Sequence, residues 1–354
     1  MKSQPLQLSI VVPVYNAAPY LEDCVRSLLD QDLQASEYEI LLINDGSTDD
    51  SLRIAEQLCT RSPNVKVISR ENRGIGATRN LGLDRSAGEF LWFVDSDDVI
   101  ARNCLGTLLR GLRGYQLDLI TYHIRMVRER VVDRPALRGF VFLPGKALME
   151  VSSGVQYIAD HNYSNGPWSY IIRSKYLRET NLRFIEDRWC EDAMFSISLL
   201  SAASRVGHLP VAAYAYVKNP NSNMSTKTVS HRRKMVKDFQ YTVDYFDQFI
   251  MEISQRTNIP PRFLKRVACR RDSFVFFLLI RLFRARLGWD YTQAVYRQLV
   301  AKGRIPPRDL CGEDYPGLKY RVLSTVVSAP WLYLGVCWIV NVLRPVKYIN
   351  GEKD

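Results

Sequence analysis

The sequence predicts an α/β fold, a doubly wound parallel sheet followed by a helical C-terminal region, on three observations. Short apolar runs alternate with stretches of helical apolar spacing over the first hundred residues. Each run ends in a polar cluster, most of them rich in Asn, Asp and Gly. Beyond about residue 226 the composition shifts to basic clusters on helical patterns. Strand and helix in alternation imply a parallel sheet whose strand ends open on one crevice, so polar motifs at those ends are expected to be neighbours.

The elements follow in order. Ser9 to Val14 is the first apolar run, and Leu21, Val25, Leu28 and Leu29 then repeat at helical spacing. Ile40 to Ile43 leads into Asn44-Asp-Gly-Ser-Thr-Asp-Asp50, where Ser47, Thr48 or Asp49 can cap a helix carrying Leu52, Ile54, Ala55 and Leu58. Val65 to Ile68 precedes Asn72-Arg-Gly-Ile-Gly76 and a helix over about 77–84. The fourth run, Phe90 to Val94, lies between Gly88 and the acids Asp95, Asp97 and Asp98. Five consecutive apolar residues suit a strand buried on both faces.

Hard oxygen ligands at the end of such a strand are placed to hold Mg2+ or Mn2+ against phosphates, whereas a solvated acidic turn is the plainer reading of the same residues. An ionised carboxylate accepts but cannot donate, so Asp45 can read the N3–H of uracil or thymine, which cytosine lacks; it can equally be a turn residue in Asp-Gly-Ser. Pro13 and Tyr15 at the first strand end offer one wall of a base pocket or ordinary core packing. Arg79, on a helix after a glycine loop, has a guanidinium suited to base, ribose or diphosphate oxygens. Gly74 and Gly76 allow close backbone approach, although paired glycines are also common turn chemistry.

Composition narrows the classes. With 354 residues and 47% hydrophobic content the chain buries a large core, which excludes disorder. A formal charge of +11 favours anionic partners such as nucleotides, lipid pyrophosphates or acidic membranes. Nucleic-acid binding is disfavoured because no such module is visible. Seven cysteines without a Cys-x-x-Cys pair give no complete disulfide framework and favour a reducing cytosol. The first residues develop no apolar core of a signal peptide, so the expected location is cytoplasmic.

Four stretches together, Ser9 to Asn16, Ile43 to Ser51, Asn72 to Gly82 and Phe93 to Asp98, resemble in order the signatures of family 2 glycosyltransferases of the bacterial polysaccharide-biosynthesis type. The resemblance covers roughly the first hundred residues closely. It implies the GT-A fold, a nucleotide-sugar donor (UDP-sugar), Mn2+ or Mg2+, and inversion at the anomeric carbon. It assigns Asp45 to the base, Arg79 to the nucleotide, Asp95 to the ribose or metal side, and Asp97 to metal and diphosphate, and it leaves Asp98 to cap the following segment.

Inverting transfer needs a carboxylate to take the acceptor hydroxyl proton. Asp187-Arg-Trp-Cys-Glu-Asp192 supplies Glu191 and Asp192 just before a helical pattern, where acids also serve helix N-termini. The resemblance favours a catalytic base here, Asp192 first and Glu191 second. Trp168, beside Gly166-Pro167, is either a platform for the acceptor sugar or a core residue. The segment Asn219 to Ser225 resembles a loop that closes over the diphosphate and reads otherwise as a linker. His123, His161 and His208 are too separated in sequence to argue a metal site.

The expected organisation is therefore a nucleotide-sugar-binding half over residues 1–100, an acceptor-binding half over 101–225, and a basic helical region over 226–354. Within the last, Phe263, Val267, Phe274 and Leu278 fit either an interfacial amphipathic helix or a bundle helix with a solvated basic face. The run 322–343 holds no charge and approaches the length of a membrane span, but Pro330 interrupts it. It reads as an interfacial or re-entrant anchor, giving peripheral association with the inner face of the cell membrane. The functional expectation is a hexosyl- or N-acetylhexosaminyl-transferase acting on a saccharide or polyprenyl-linked glycan. A catalytically silent, membrane-associated scaffold that keeps the fold is the alternative. Sugar identity and oligomeric state are not legible.

Overall fold

A computed structural model describes residues 6–128, 149–218, 228–307 and 318–343. The chain divides into two compact units, Met1–Ser222 and Asn223–Asp354.

The first unit is built on one sheet. Strand β1 (Leu8–Val14) is followed by α1 (Leu21–Leu29), β2 (Tyr38–Asp45), α2 (Ser51–Arg61), β3 (Val65–Arg70), α3 (Ile75–Arg85) and β4 (Phe90–Phe93). These are the four apolar runs and three helices expected from the sequence. β1, β2 and β4 are buried along their whole length, because helices cover both faces of the sheet. Next come β5 (Val99–Ile100), α4 (Leu105–Gly114), β6 (Leu119–Arg128), β7 (Glu150–Ser152), α5 (Gly154–Asp160), β8 (Tyr170–Arg173), α6 (Ser174–Thr180), α7 (Glu191–Ala202) and β9 (Val206–Lys218).

The strand order is β3-β2-β1-β4-β8-β6-β9-β5, with β7 also on β9. β3, β2, β1 and β4 are mutually parallel, so their C-terminal ends share one edge. At β8 the pairing turns antiparallel, with Trp92 opposite Ile171. The doubly wound parallel arrangement thus holds for the first half, and the sheet as a whole is mixed.

Close packing sets the helix positions. A Cβ at Gly82 of α3 would stand 2.2 Å from a methyl of Val11, so α3 lies directly on β1. Gly46, after β2, has φ +70°, and a Cβ there would come within 2.8 Å of the Asn72 nitrogen. Only glycine suits that turn. The neighbouring loop ends are tied together: Asn16 Oδ1 accepts from the Thr48 N–H at 2.8 Å, and Asp49 Oδ2 accepts from the Ala18 N–H at 3.1 Å. Asp49 Oδ1 also accepts from the Ser51 N–H at 3.0 Å, while the N-cap position of α2 falls on Asp50, which makes no side-chain cap, and not on Ser47, Thr48 or Asp49.

The second unit is helical: α8 (Val229–Ser254), α9 (Pro261–Ala285), α10 (Trp289–Ala301), α11 (Leu318–Ser328) and α12 (Pro330–Leu343). Thr228 caps α8 by accepting from the His231 N–H. α8 and α9 run antiparallel, since Arg232 reaches the Ala285 carbonyl at 2.8 Å and Arg271 pairs with Asp247 at 3.3 Å. Phe263, Val267, Phe274 and Leu278 are all buried. Of the two readings of that stretch, α9 is the bundle helix. The uncharged run 322–343 is broken at Pro330 into α11 and α12, and among the described residues no helix is long and apolar enough to cross a membrane. Tyr333 of α12 stacks on Tyr296 of α10 at 5.1 Å and donates to the Leu279 carbonyl of α9 at 2.9 Å.

Candidate active site

The shared edge of the parallel strands collects most of the polar groups singled out in the sequence. Asp45 closes β2 and is buried. Its Oδ1 accepts from Arg70 Nε at 2.9 Å and the Arg73 N–H at 3.0 Å, and its Oδ2 accepts from the Gly74 N–H at 2.8 Å. The carboxylate fastens β2 to β3 and to the glycine loop, a role the sequence reading did not foresee. Pro13 is buried inside β1, while Tyr15, just beyond it, is 39% exposed.

Arg79 projects from α3 and is buried. Its Nη1 donates to Glu191 Oε1 at 2.7 Å and its Nη2 to Asp95 Oδ1 at 3.1 Å. The guanidinium carbon lies 5.4 Å from the centre of the Phe184 ring, within cation–π range. Phe184 in turn stacks on Phe195 of α7 at 3.9 Å. One cation therefore joins the acidic end of β4 to the start of α7.

Asp192 is part-exposed beside this pair, and its Oδ1 accepts the Ala193 N–H at 2.8 Å. Burial raises its pKa, and the positive charge of Arg79 opposes the rise. Burial also raises Glu191, with the charge of Asp192 adding and Arg79 pulling back. Glu191, buried and held by Arg79, is the clasp between the two segments, whereas Asp192 keeps a face toward solvent.

The three acids after β4 separate by environment. Asp95 and Asp97 are part-exposed. Asp98 is buried, and instead of capping the next segment it accepts from the Tyr214 hydroxyl at 2.5 Å and the Val217 N–H at 2.7 Å. Donors from β9 meet it in the interior, which is why it turns inward. Burial, with the charges of Asp95 and Asp97, pushes its carboxyl up to about 9. The Tyr214 hydroxyl also accepts the Asp95 N–H at 3.2 Å.

Among the described residues no group of three or more His, Cys, Asp or Glu side chains forms a ready cage for a metal ion. Mg2+ and Mn2+ sites of nucleotide enzymes are commonly completed by one or two carboxylates together with substrate phosphates. Asp95 and Asp97, part-exposed at the mouth of the crevice, fit that donor set.

Trp168, in the 3-10 turn Pro167–Ser169, stacks on Tyr214 at 5.0 Å with a 13° tilt and lies 5.4 Å from Tyr216. Its carbonyl accepts from Trp92 Nε1 at 3.1 Å and from the Tyr122 hydroxyl. It belongs to an aromatic group reaching the β4 acids through Tyr214. Tyr214 and Tyr216 were missed in the sequence, where their only signal is alternation within the run 211–217. The three histidines, far apart in sequence, also come together: His208 lies 5.2 Å from His123 and 5.3 Å from His161 between ring centres. Asn219 to Ser225 includes residues 219–222 and 223–225, all outside the described residues.

An α/β crevice with carboxylates from a strand end and from a facing helix start defines a protein of the GT-A fold. Residues 9–180 match the family model described as Glycosyl transferase family 2. It is 33% identical over 218 residues to the uncharacterized glycosyltransferase EpsJ of Bacillus subtilis, covering 61% of this chain and 62% of that protein. It is 29% identical over 230 residues to poly(ribitol-phosphate) beta-N-acetylglucosaminyltransferase TarS of Staphylococcus aureus, covering 64% of this chain and 38% of TarS. The matched regions thus span less than two thirds of these relatives. The crystal structure of S. aureus TarS 1–349 in complex with UDP-GlcNAc superposes with a TM-score of 0.60 at 19% identity, over 95% of this chain and 92% of that one. A mannosyltransferase of Pyrobaculum calidifontis, in complex with GDP-Man and Mn2+, superposes with a TM-score of 0.53 at 17% identity.

Proposed function

We propose that this protein is an inverting, metal-dependent glycosyltransferase that moves a hexosyl or N-acetylhexosaminyl group from a UDP-sugar to a saccharide or lipid-linked glycan acceptor. The observation that carries the reading is the Arg79 bridge. By pairing with Asp95 and Glu191 it brings the acids of β4 beside Asp192 in one crevice. A leaving-group site and a base are both needed for inversion, and they are contributed here by segments about a hundred residues apart.

In this reading Asp192 accepts the proton of the acceptor hydroxyl as its oxygen attacks the anomeric carbon, and the sugar–phosphate bond breaks on the opposite face. The raised pKa of Asp192 brings a carboxylate nearer the working pH of a general base. Asp95 and Asp97 would hold a divalent cation, which when bound would supply positive charge against the departing diphosphate. Tyr15 borders the base and Trp168 the acceptor, with Pro13 behind the first. Asp45 meets the base through whatever acceptor capacity its backbone and Arg70 contacts leave. The division of the first unit into a donor half and an acceptor half, meeting at Arg79, belongs to the same proposal. The UDP-GlcNAc named with TarS supports the donor class, and the N-acetylglucosaminyl- and glucosyltransferase names of two poly(ribitol-phosphate)-modifying relatives support the class of sugar transferred. The proposed setting is the cytoplasmic face of the cell membrane, with the second unit in peripheral contact.

A panel of UDP-, dTDP- and GDP-sugars incubated with the full chain, with Mn2+ and with chelator, tests the reading. Metal-dependent release of UDP from one donor is expected. Calorimetry in Mn2+ showing no nucleotide bound at all would sink it.

A further inference from the structure

The second unit has two properties that the proposed transfer does not use. The first is charge. Residues 223–354 hold 23 of the 48 Lys and Arg but only 11 of the 37 Asp and Glu, a formal +12, while residues 1–222 stand at −1. The entire positive excess therefore lies in this unit. Four of its acids are paired inside it: Asp238 with Lys234, Asp244 with Lys302, Asp247 with Arg271 and Arg304, and Asp272 with Arg271. Lys237, Arg256, Lys265, Arg284 and Arg297 are exposed.

The second property is an apolar face open to solvent. Trp331 is 78% exposed, Trp338 51%, Ile339 47% and Val336 36%. At about 100° per residue these four fall on one arc of roughly 160°. Tyr333 and Cys337, which are buried, lie on the opposite side of α12. The helix is thus docked by one face and presents indoles and aliphatic groups on the other, with no charged residue between Pro330 and Leu343. Val322 of α11 is 53% exposed as well. Solvent-facing tryptophans are unfavourable in water, and at a lipid headgroup boundary the ring is buried while the N–H stays hydrated.

We infer that the exposed face of α12, with Trp331 and Trp338 as its anchors, inserts into the headgroup region of an anionic bilayer while the basic surface of the same unit binds the lipid phosphates. This names the surface and the lipid chemistry behind the peripheral contact proposed above, and it rests on that reading only for the setting. Charge favours this occupant over a second copy of the chain, because two units of +12 repel one another while an anionic surface attracts each. α12 lies along the surface, since no described helix crosses a bilayer.

The experiment is flotation of the full chain with vesicles of phosphatidylglycerol and phosphatidylethanolamine, and with phosphatidylcholine alone, beside Trp331→Ser/Trp338→Ser and Lys237→Glu/Arg284→Glu. Native protein is expected to float with the anionic vesicles and show a blue-shifted tryptophan emission. The tryptophan variant should bind at least about tenfold more weakly. The charge variant should bind more weakly still as salt rises. Circular dichroism and melting confirm that each variant is folded. Binding of the tryptophan variant equal to native overturns the inference, as does native protein that stays unbound. A tryptophan variant that changes a native dimer into a monomer overturns it in favour of a second copy. Metal-dependent UDP release from the donor panel, measured without vesicles, is independent of all three outcomes and reports separately on the proposed transfer.

Discussion

The Tyr214 hydroxyl stands 2.5 Å from the Asp98 carboxylate and also receives the Asp95 N–H, so one phenol on β9 fixes the backbone of the acidic turn after β4. Replacing it tests that link. Tyr214→Phe removes the hydroxyl and leaves Asp98 one donor short in the interior, a loss of about 1–3 kcal/mol. A lower melting temperature with weaker metal-dependent nucleotide binding is expected. Calorimetry showing unchanged nucleotide affinity in a destabilised variant would separate Tyr214 from the site.

Asp192 and Glu191 should fail differently. Asp192→Asn is expected to bind nucleotide normally and to lose transfer by about 10²–10⁴-fold, the usual worth of a general base. Glu191→Gln should instead lower stability, because it leaves Arg79 without a full charge partner. Full transfer by Asp192→Asn in a steady-state assay removes that residue from its role.

The acidic limb of the rate profile follows from the same carboxyl. Burial raises Asp192, so protonation of the base begins at a higher pH than for an ordinary aspartate. Activity should therefore fall, as pH is lowered, through a midpoint above the usual aspartate value, provided the donor remains bound. A limb at the ordinary value, read from kcat/KM against pH, speaks against Asp192 as the titrating group.

Arg79→Lys should not rescue. A guanidinium offers separate nitrogens to Asp95 and Glu191, whereas an ammonium is a single point charge. Stability is expected to fall, because one ammonium cannot serve both carboxylates, and chemical denaturation measures it. A variant as stable as native would show that the bridge contributes little to folding.

His208 supplies a pH test away from the crevice. Burial, with His123 and His161 adding and Glu150 opposing, lowers its pKa to about 4, and its Nδ1 lies 2.7 Å from Thr121 Oγ1. The folded pKa is below the unfolded one, so the unfolded chain binds more protons between the two. The stability is present above about 6.5 and is lost as pH falls through about 4. Allowing for its partial exposure, the loss is on the order of 1–2 kcal/mol. Melting curves from pH 7 to 4 should drop more steeply for native protein than for His208→Gln.

The legible parts were those written in short range. The buried strands β1, β2 and β4 announce themselves as apolar runs because helices cover both sheet faces, and the acids at their ends follow from strand direction. The antiparallel entry of β8 was not legible, since pairing between Trp92 and Ile171 spans about eighty residues and leaves no local pattern. Asp98 shows the same limit. Its sequence position beside Asp97 suggests a solvated turn, and only the arrival of Tyr214 and Val217 from β9 explains its burial. For Phe263, Val267, Phe274 and Leu278, periodicity gave an apolar face but not what covers it.

Asp45 has a final consequence. With both oxygens engaged by Arg70 and by the backbone of Arg73 and Gly74, Asp45 holds the glycine loop after β3 with hydrogen bonds supplied from within the chain. Fixing a residue's backbone costs about 1–2 kcal/mol in conformational entropy, and here folding has already met that cost. Whatever anion enters the crevice encounters a preorganised rim, so its affinity is not diminished by having to freeze the loop first.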